Sequence, residues 1–348
     1  MGIVRGVAIL ALLASAASAA DPVLLGSRRE GWLEAFRLEN LETIARVRLK
    51  EKVESVESPA DGQRLFVNAP HPQQPEICCA LWMLDPHSLR AFAILWPAFR
   101  PVLMNNKLFA QRGDDGIEVF DARSLAHLPT LRVPGVYNLT PSPDGRWLFG
   151  TRQFPTPGLD IFDLVQFKLT RAIPVEGATQ LRGIWLGAQY YLFAPGLPGA
   201  GRFWAVDAQA GSLGQQKLVR LGEAACAEPD YEVVAAGDRV AIYSPVRSRS
   251  GGAGCIHGGY LLADPATSTV SARLAPELPF VRLVAGPDGK SLYGVTPADT
   301  KGAKLIKLDA ASGQMSASRT VAADIWDLGI GGLPAEWQGR LDLQAAFQ

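Results

Sequence analysis

The sequence predicts an all-β protein, a seven-bladed β-propeller, from three observations. Apolar strands closed by an aspartate recur along the chain at the spacing of one small sheet. A turn followed by a short apolar strand precedes each of them. Gly and Pro are abundant, 35 and 25 of 348 residues, and no long stretch carries helical periodicity.

The aspartate-closed strands are Leu81–Asp85, Ile117–Asp121, Asp160–Asp163, Phe203–Asp207, Leu261–Asp264 and Leu305–Asp309, with intervals of 36, 42, 44, 57 and 45 between their aspartates. A four-stranded blade takes about 40–50 residues. Upstream lie the turn-and-strand units Asp61–Val67, Asn105–Phe109, Asp144–Phe149, Ala188–Phe193, Gly237–Ile242 and Asp288–Tyr293. Gly and Asn accept positive φ at such turns, and Asp bonds back to nearby amides. Each blade therefore reads as an inner strand A, the turn, strand B, a variable loop, strand C ending in Asp, and strand D. One Asp per blade in the same place indicates a structural role in the C–D turn, not a metal site.

Six complete blades fall between about Lys52 and Val321. For the seventh, Asp324–Leu328 is expected as strand A and Arg340–Leu343 as strand B, pairing with N-terminal strands C (Trp32–Leu38) and D (Thr43–Leu49). Glu39 stands there where other blades carry Asp. A ring closed this way leaves no exposed sheet edge.

Residues 1–19 read as a signal peptide: Arg5, the apolar run Val7–Leu13, and the small-residue site Ala17-Ser18-Ala19. Residues 20–348 are then one propeller domain, periplasmic or secreted, with no membrane anchor. Formal net charge is zero and Lys and Arg are dispersed, so no nucleic-acid footprint is present.

Ser142-Pro143-Asp144-Gly145-Arg146-Trp147-Leu148 and Gly286-Pro287-Asp288-Gly289-Lys290-Ser291-Leu292 carry the motif of YVTN-type seven-bladed propellers, which the chain resembles over nearly all of its mature length. Length, leader and a long fifth blade are similar to the propeller (heavy, or β) subunit of bacterial quinoprotein amine dehydrogenases. That resemblance implies docking of a small quinone-bearing subunit, a share in walling its substrate channel, and no redox cofactor in the propeller itself. No catalytic motif accompanies it, so the catalytic residues are unknown and no cofactor is expected.

In a propeller the B–C and D–A loops share one face, where the channel-lining A strands begin. Two B–C loops are long, Asn68–Cys78 and Pro245–Cys255, and all four cysteines map to that face. In an exported protein they indicate disulfides. Cys226 with Cys255 joins neighbouring loops of one blade and closes about 30 residues, worth about 3–4 kcal/mol by loop entropy. Cys78 and Cys79 are adjacent; a vicinal disulfide, a bond to a partner chain and free thiols all stay open. Vicinal disulfides occur at ligand-facing surfaces of propeller redox enzymes, which implies a stacking surface at the channel mouth.

His71 and His257 lie on the same long loops. Mixed Cys/His ligation suits zinc or copper, but no Cys-x-x-Cys or His-x-His spacing is present, so no metal is expected. Arg100, Arg182 and Arg282 fall early in the A strands of blades two, four and six, with Asn138, Tyr231 and Trp326 at comparable places in blades three, five and seven. Three arginines at one mouth can fork a carboxylate or another anion. Pairing with Glu54, Glu57, Asp230 or Asp327 is the structural reading of the same residues, and the favoured one.

Three functions follow. The leading one is a non-catalytic binding or scaffold module acting through the loop face, with a small partner subunit or small anionic ligand. The second is the cofactor-free subunit of an amine dehydrogenase-like oxidoreductase. The third is a small-molecule hydrolase or lactonase, although Gly-x-Ser-x-Gly is absent.

Overall fold

The computed structural model describes residues 21–347 except 29, 50–52, 60–61, 63, 72–79, 86–87, 105, 113–115, 134–136, 153–155, 179, 196–198, 222–230, 247–257, 272 and 322–324. The leader expected over residues 1–19 lies outside them. The described chain forms seven small sheets whose covalently consecutive strands pair antiparallel, arranged as a seven-bladed propeller. Blade three shows the plan: A (Tyr137–Pro141), B (Trp147–Arg152), C (Gly158–Asp163) and D (Lys168–Pro174) in spatial order.

Burial follows from position in the blade. Strands B and C are flanked by blades on both faces and are apolar on both: Leu65–Ala69 and Ala80–Leu84 are buried at every residue. Strand D lies outermost and is mostly exposed, as in Lys168–Pro174 and Met315–Val321. Because side chains alternate along a strand, successive residues enter different cores. Leu65 and Val67 pack toward blade seven, while Phe66 packs toward blade two. Tyr190 and Leu192 pack toward blade three, and Phe193 toward blade five.

The described hydrophobic residues form seven clusters, each bridging two adjacent blades. Seven blades in an open row would have six interfaces; the seventh closes the ring. That cluster joins Val23, Leu25 and Leu33 of blade seven to Val56, Leu65 and Trp82 of blade one.

The closing blade corrects one expectation. Its A strand, Ile325–Gly331, pairs with Val23–Arg28, which is strand B, followed by Trp32–Arg37 and Thr43–Arg48 as C and D. Arg340–Gln344 is not strand B. It runs parallel to strand D on the outer edge, and Ala346–Phe347 continues parallel to strand D of blade one. The reason is burial. Strand B must be covered on both faces, and Val23–Arg28 is buried at all six positions, whereas Arg340–Gln344 is exposed except at Leu343.

The repeated aspartates serve the C–D turns as expected. Asp85 accepts from the Ser88 amide at 2.7 Å, Asp121 from Ser124 at 2.7 Å, Asp163 from Val165 at 2.8 Å, Asp207 from Ala210 at 2.8 Å, Asp264 from Ala266 at 2.8 Å and Asp309 from Ser312 at 2.8 Å. Four residues after each Asp the backbone takes positive φ, at Leu89, Leu125, Phe167, Gly211, Ser268 and Gly313. In blade seven that residue is Leu41, so the matching position is Arg37, not Glu39. The Leu41 amide donates to the Arg37 carbonyl at 3.0 Å, and Asn40 accepts the Glu42 amide at 3.0 Å in place of the missing Asp.

Candidate functional site

The seven A strands surround a channel of about 420 Å³, lined by residues of every blade. An A strand has neighbours along its edge but faces the lumen, so polar and charged side chains are tolerated there. Blade one contributes Glu54 and Glu57, blade three Asn138, blade four Arg182, blade five Glu232, blade six Arg282 and blade seven Asp327.

Adjacent blades pair their charges around the ring. Arg182 donates to Glu232 through Nε and Nη2, each at 3.0 Å to a separate carboxylate oxygen. Arg282 forms an ion pair with Asp327 at 3.2 Å. Burial works against the Arg282 charge, but Asp327, Tyr243, Glu232 and Glu57 outweigh it and hold the guanidinium above its usual pKa. Burial also raises Asp327, with Arg282 and the Leu328 amide opposing and Glu54 adding to the rise. Glu57 is pushed up to about 8, first by burial and then by the Asp327 carboxylate, against the pull of Arg282. Its proton is therefore held at neutral pH, which relieves repulsion between two carboxyl groups on neighbouring inner strands.

Toward the loop face the channel is adjoined by a hollow of about 260 Å³ framed by Tyr243, Pro245, Val281 and Trp326, with Glu232, Arg282 and Asp327 lining both. Tyr243 is fixed there: its hydroxyl oxygen accepts the Leu283 amide at 3.1 Å, and burial raises its pKa to about 12.

Of the residues singled out in the sequence, Arg182, Arg282 and Asn138 line the channel and Trp326 its mouth. Both described arginines are held by protein carboxylates, the structural reading of the sequence. Arg182, however, finds Glu232, which the sequence did not suggest. Tyr231 is displaced from the lining: it packs half-buried against the core between blades four and five, and Glu232 faces the lumen instead. Arg100 lies on the inner strand Phe99–Met104, with its side chain outside the description. His71 stands off the channel, its ring 5.0 Å from that of Trp96. Cys78, Cys79, Cys226, Cys255, His257 and Asp230 lie outside the described residues. Among the described residues no group of three His, Cys, Asp or Glu is disposed to hold a metal.

No protein-family model matches the chain, and no curated protein matches its sequence. Solved structures do match its fold. Dihydro-heme d1 dehydrogenase NirN in complex with DHE is similar with a TM-score of 0.55 and 17% identity, over 85% of this chain and 63% of that one. Hydrazine synthase of Kuenenia stuttgartiensis is similar with a TM-score of 0.57 and 14% identity, over 84% of this chain and 90% of that one. The computationally designed Ika8 protein gives 0.55 and 10%, over 86% of each chain. The chain thus spans just under two thirds of the NirN chain. These likenesses establish the propeller class and nothing finer.

Proposed function

We propose that the protein is a binding and scaffold module that takes a small ligand, or a projecting group of a small partner, into the mouth of its central channel. The observation that carries this reading is the ring of charged side chains contributed by the inner strands beside a hollow framed by Trp326 and Tyr243. Export and a partner on the loop face belong to the same proposal.

The charges favour a group that donates hydrogen bonds, such as an ammonium. Among the described lining residues the carboxyl groups of Glu54, Glu232 and Asp327 stand against two guanidiniums, Arg182 and Arg282, and Glu57, which keeps its proton at neutral pH, adds a neutral carbonyl acceptor. An anion would have to compete with Glu232 and Asp327 for arginines they already hold.

Calorimetric titration with butylammonium and with butyrate tests the sign. Butylammonium should bind, and Asp327→Asn should weaken it about tenfold, the loss of one charged partner. Binding of butyrate instead, or of neither probe, would refute the reading.

A further inference from the structure

A second hollow, of about 740 Å³, opens on the opposite face, where the A–B and C–D turns lie, between blades three and four. We propose that it is a carbohydrate-binding site for a neutral mono- or disaccharide.

The cavity follows from a departure in blade four. Its outer strand is split into Ser212–Leu213 and Lys217–Arg220, both paired with strand C, while blade three keeps an unbroken Lys168–Pro174. At the break the Gly214 amide donates to the Ala205 carbonyl at 2.8 Å. Small residues line the gap at Gly187, Ala188, Ala205 and Gly214, so the space is left open.

Two half-buried tryptophans, Trp147 and Trp185, wall this space, and Tyr190 lines it. The aromatic wall is locked from behind. Tyr190 stacks on Phe149 at 4.1 Å between ring centroids, and Trp185 meets Phe149 edge-on at 5.4 Å. Indole faces are negative and attract the C–H face of a sugar ring without demanding a charge. Around them stand groups suited to hydroxyls. Gln189 donates through its side-chain amide to the Tyr190 and Val206 carbonyls at 2.8 and 2.9 Å, which fixes the amide and leaves its oxygen as an acceptor. Asp207 commits one oxygen to the Ala210 amide and retains the other. Gln209 and Ser212 are exposed along the same wall.

Among the described residues no Lys, Arg or His lines the cavity, which disfavours an anion. The Arg146 guanidinium lies over one face of the Trp147 ring at 4.8 Å and repels a further cation there. A neutral polyhydroxyl ligand satisfies both conditions.

The test is titration of the full chain with cellobiose, maltose and lactose, read by tryptophan emission and calorimetry, with choline chloride as the cationic control. At least one disaccharide should shift the emission saturably at about millimolar concentration, a weak affinity typical of a shallow, solvated site. Trp147→Leu keeps the apolar bulk and should abolish that binding. Asp207→Asn keeps the turn acceptor and should weaken it about fivefold, the loss of a charged hydrogen-bond partner. Far-ultraviolet circular dichroism confirms that both variants are folded. Three results would overturn the site: no saturable binding of any disaccharide, sugar binding unchanged in both folded variants, or choline binding in place of sugar.

Discussion

Arg182 and Glu232, fifty residues apart, meet as a two-point fork across the seam between blades four and five, both bonds at 3.0 Å. The pair joins two inner strands that have no backbone ladder in common. Arg182→Ala leaves a half-buried carboxylate without its cation and should destabilise the fold by about 2–3 kcal/mol. Arg182→Lys keeps the charge but not the fork and should recover only part of that loss. Urea denaturation of both variants, with Glu232→Gln to close a double-mutant cycle, measures the coupling.

Glu57 gives a pH signature. Its folded pKa, about 8, lies above the unfolded value near 4.5. The folded state therefore holds the extra proton between those values, and the associated stability is complete below about pH 4.5. It is lost as pH rises toward and through 8. Glu57→Gln removes this titration. The melting temperature of wild type relative to the variant should fall across that window by several degrees and flatten above it.

The turn aspartates behave in the opposite sense. Hydrogen bonds from Ser124, Thr267 and Ser312 are the foremost causes that lower the pKa of Asp121, Asp264 and Asp309. Their contribution is complete above the ordinary Asp value and lost as pH falls through the lower folded values. Replacing Asp309 by Ala should cost about 1 kcal/mol at pH 7 and progressively less as pH falls below the ordinary Asp value, which chemical denaturation at neutral and at acid pH will show.

Blade seven holds a more deeply buried charge. Glu34 is 2% exposed; its Oε1 accepts from Arg28 at 2.7 Å and lies 3.0 Å from Arg46 Nε. Glu34→Ala removes the shared acceptor from strand C and leaves Arg28 buried, at a cost of about 3–5 kcal/mol. The melting temperature of the variant checks this, and Glu34→Gln should lose less.

The blades were legible because two-sided burial forces an apolar signature on strands B and C, and because the C–D turns need an acceptor that Asp supplies. Val23–Arg28 carries the same apolar signature, yet no turn marks its start, since its A strand lies some three hundred residues further along. Arg340–Leu343, which follows that A strand along the chain, therefore reads as strand B in its place. The channel was legible only in outline. A one-residue shift along a strand exchanges its faces, so Tyr231 and Glu232 could not be told apart, and the partner of Arg182 stayed hidden. The hollow between blades three and four depends on a split outer strand, which no local pattern announces.

The order of strands in blade seven has a consequence during synthesis. Val23–Arg28 must wait for Ile325–Gly331. At roughly 5–20 residues per second, a ribosome takes about 15–60 s to cover the interval. Throughout that delay the nascent chain presents an apolar strand with one unoccupied hydrogen-bonding edge, open to capture by another chain. A folding helper that shields this edge early would therefore raise the yield of the ring more than one acting on any other blade.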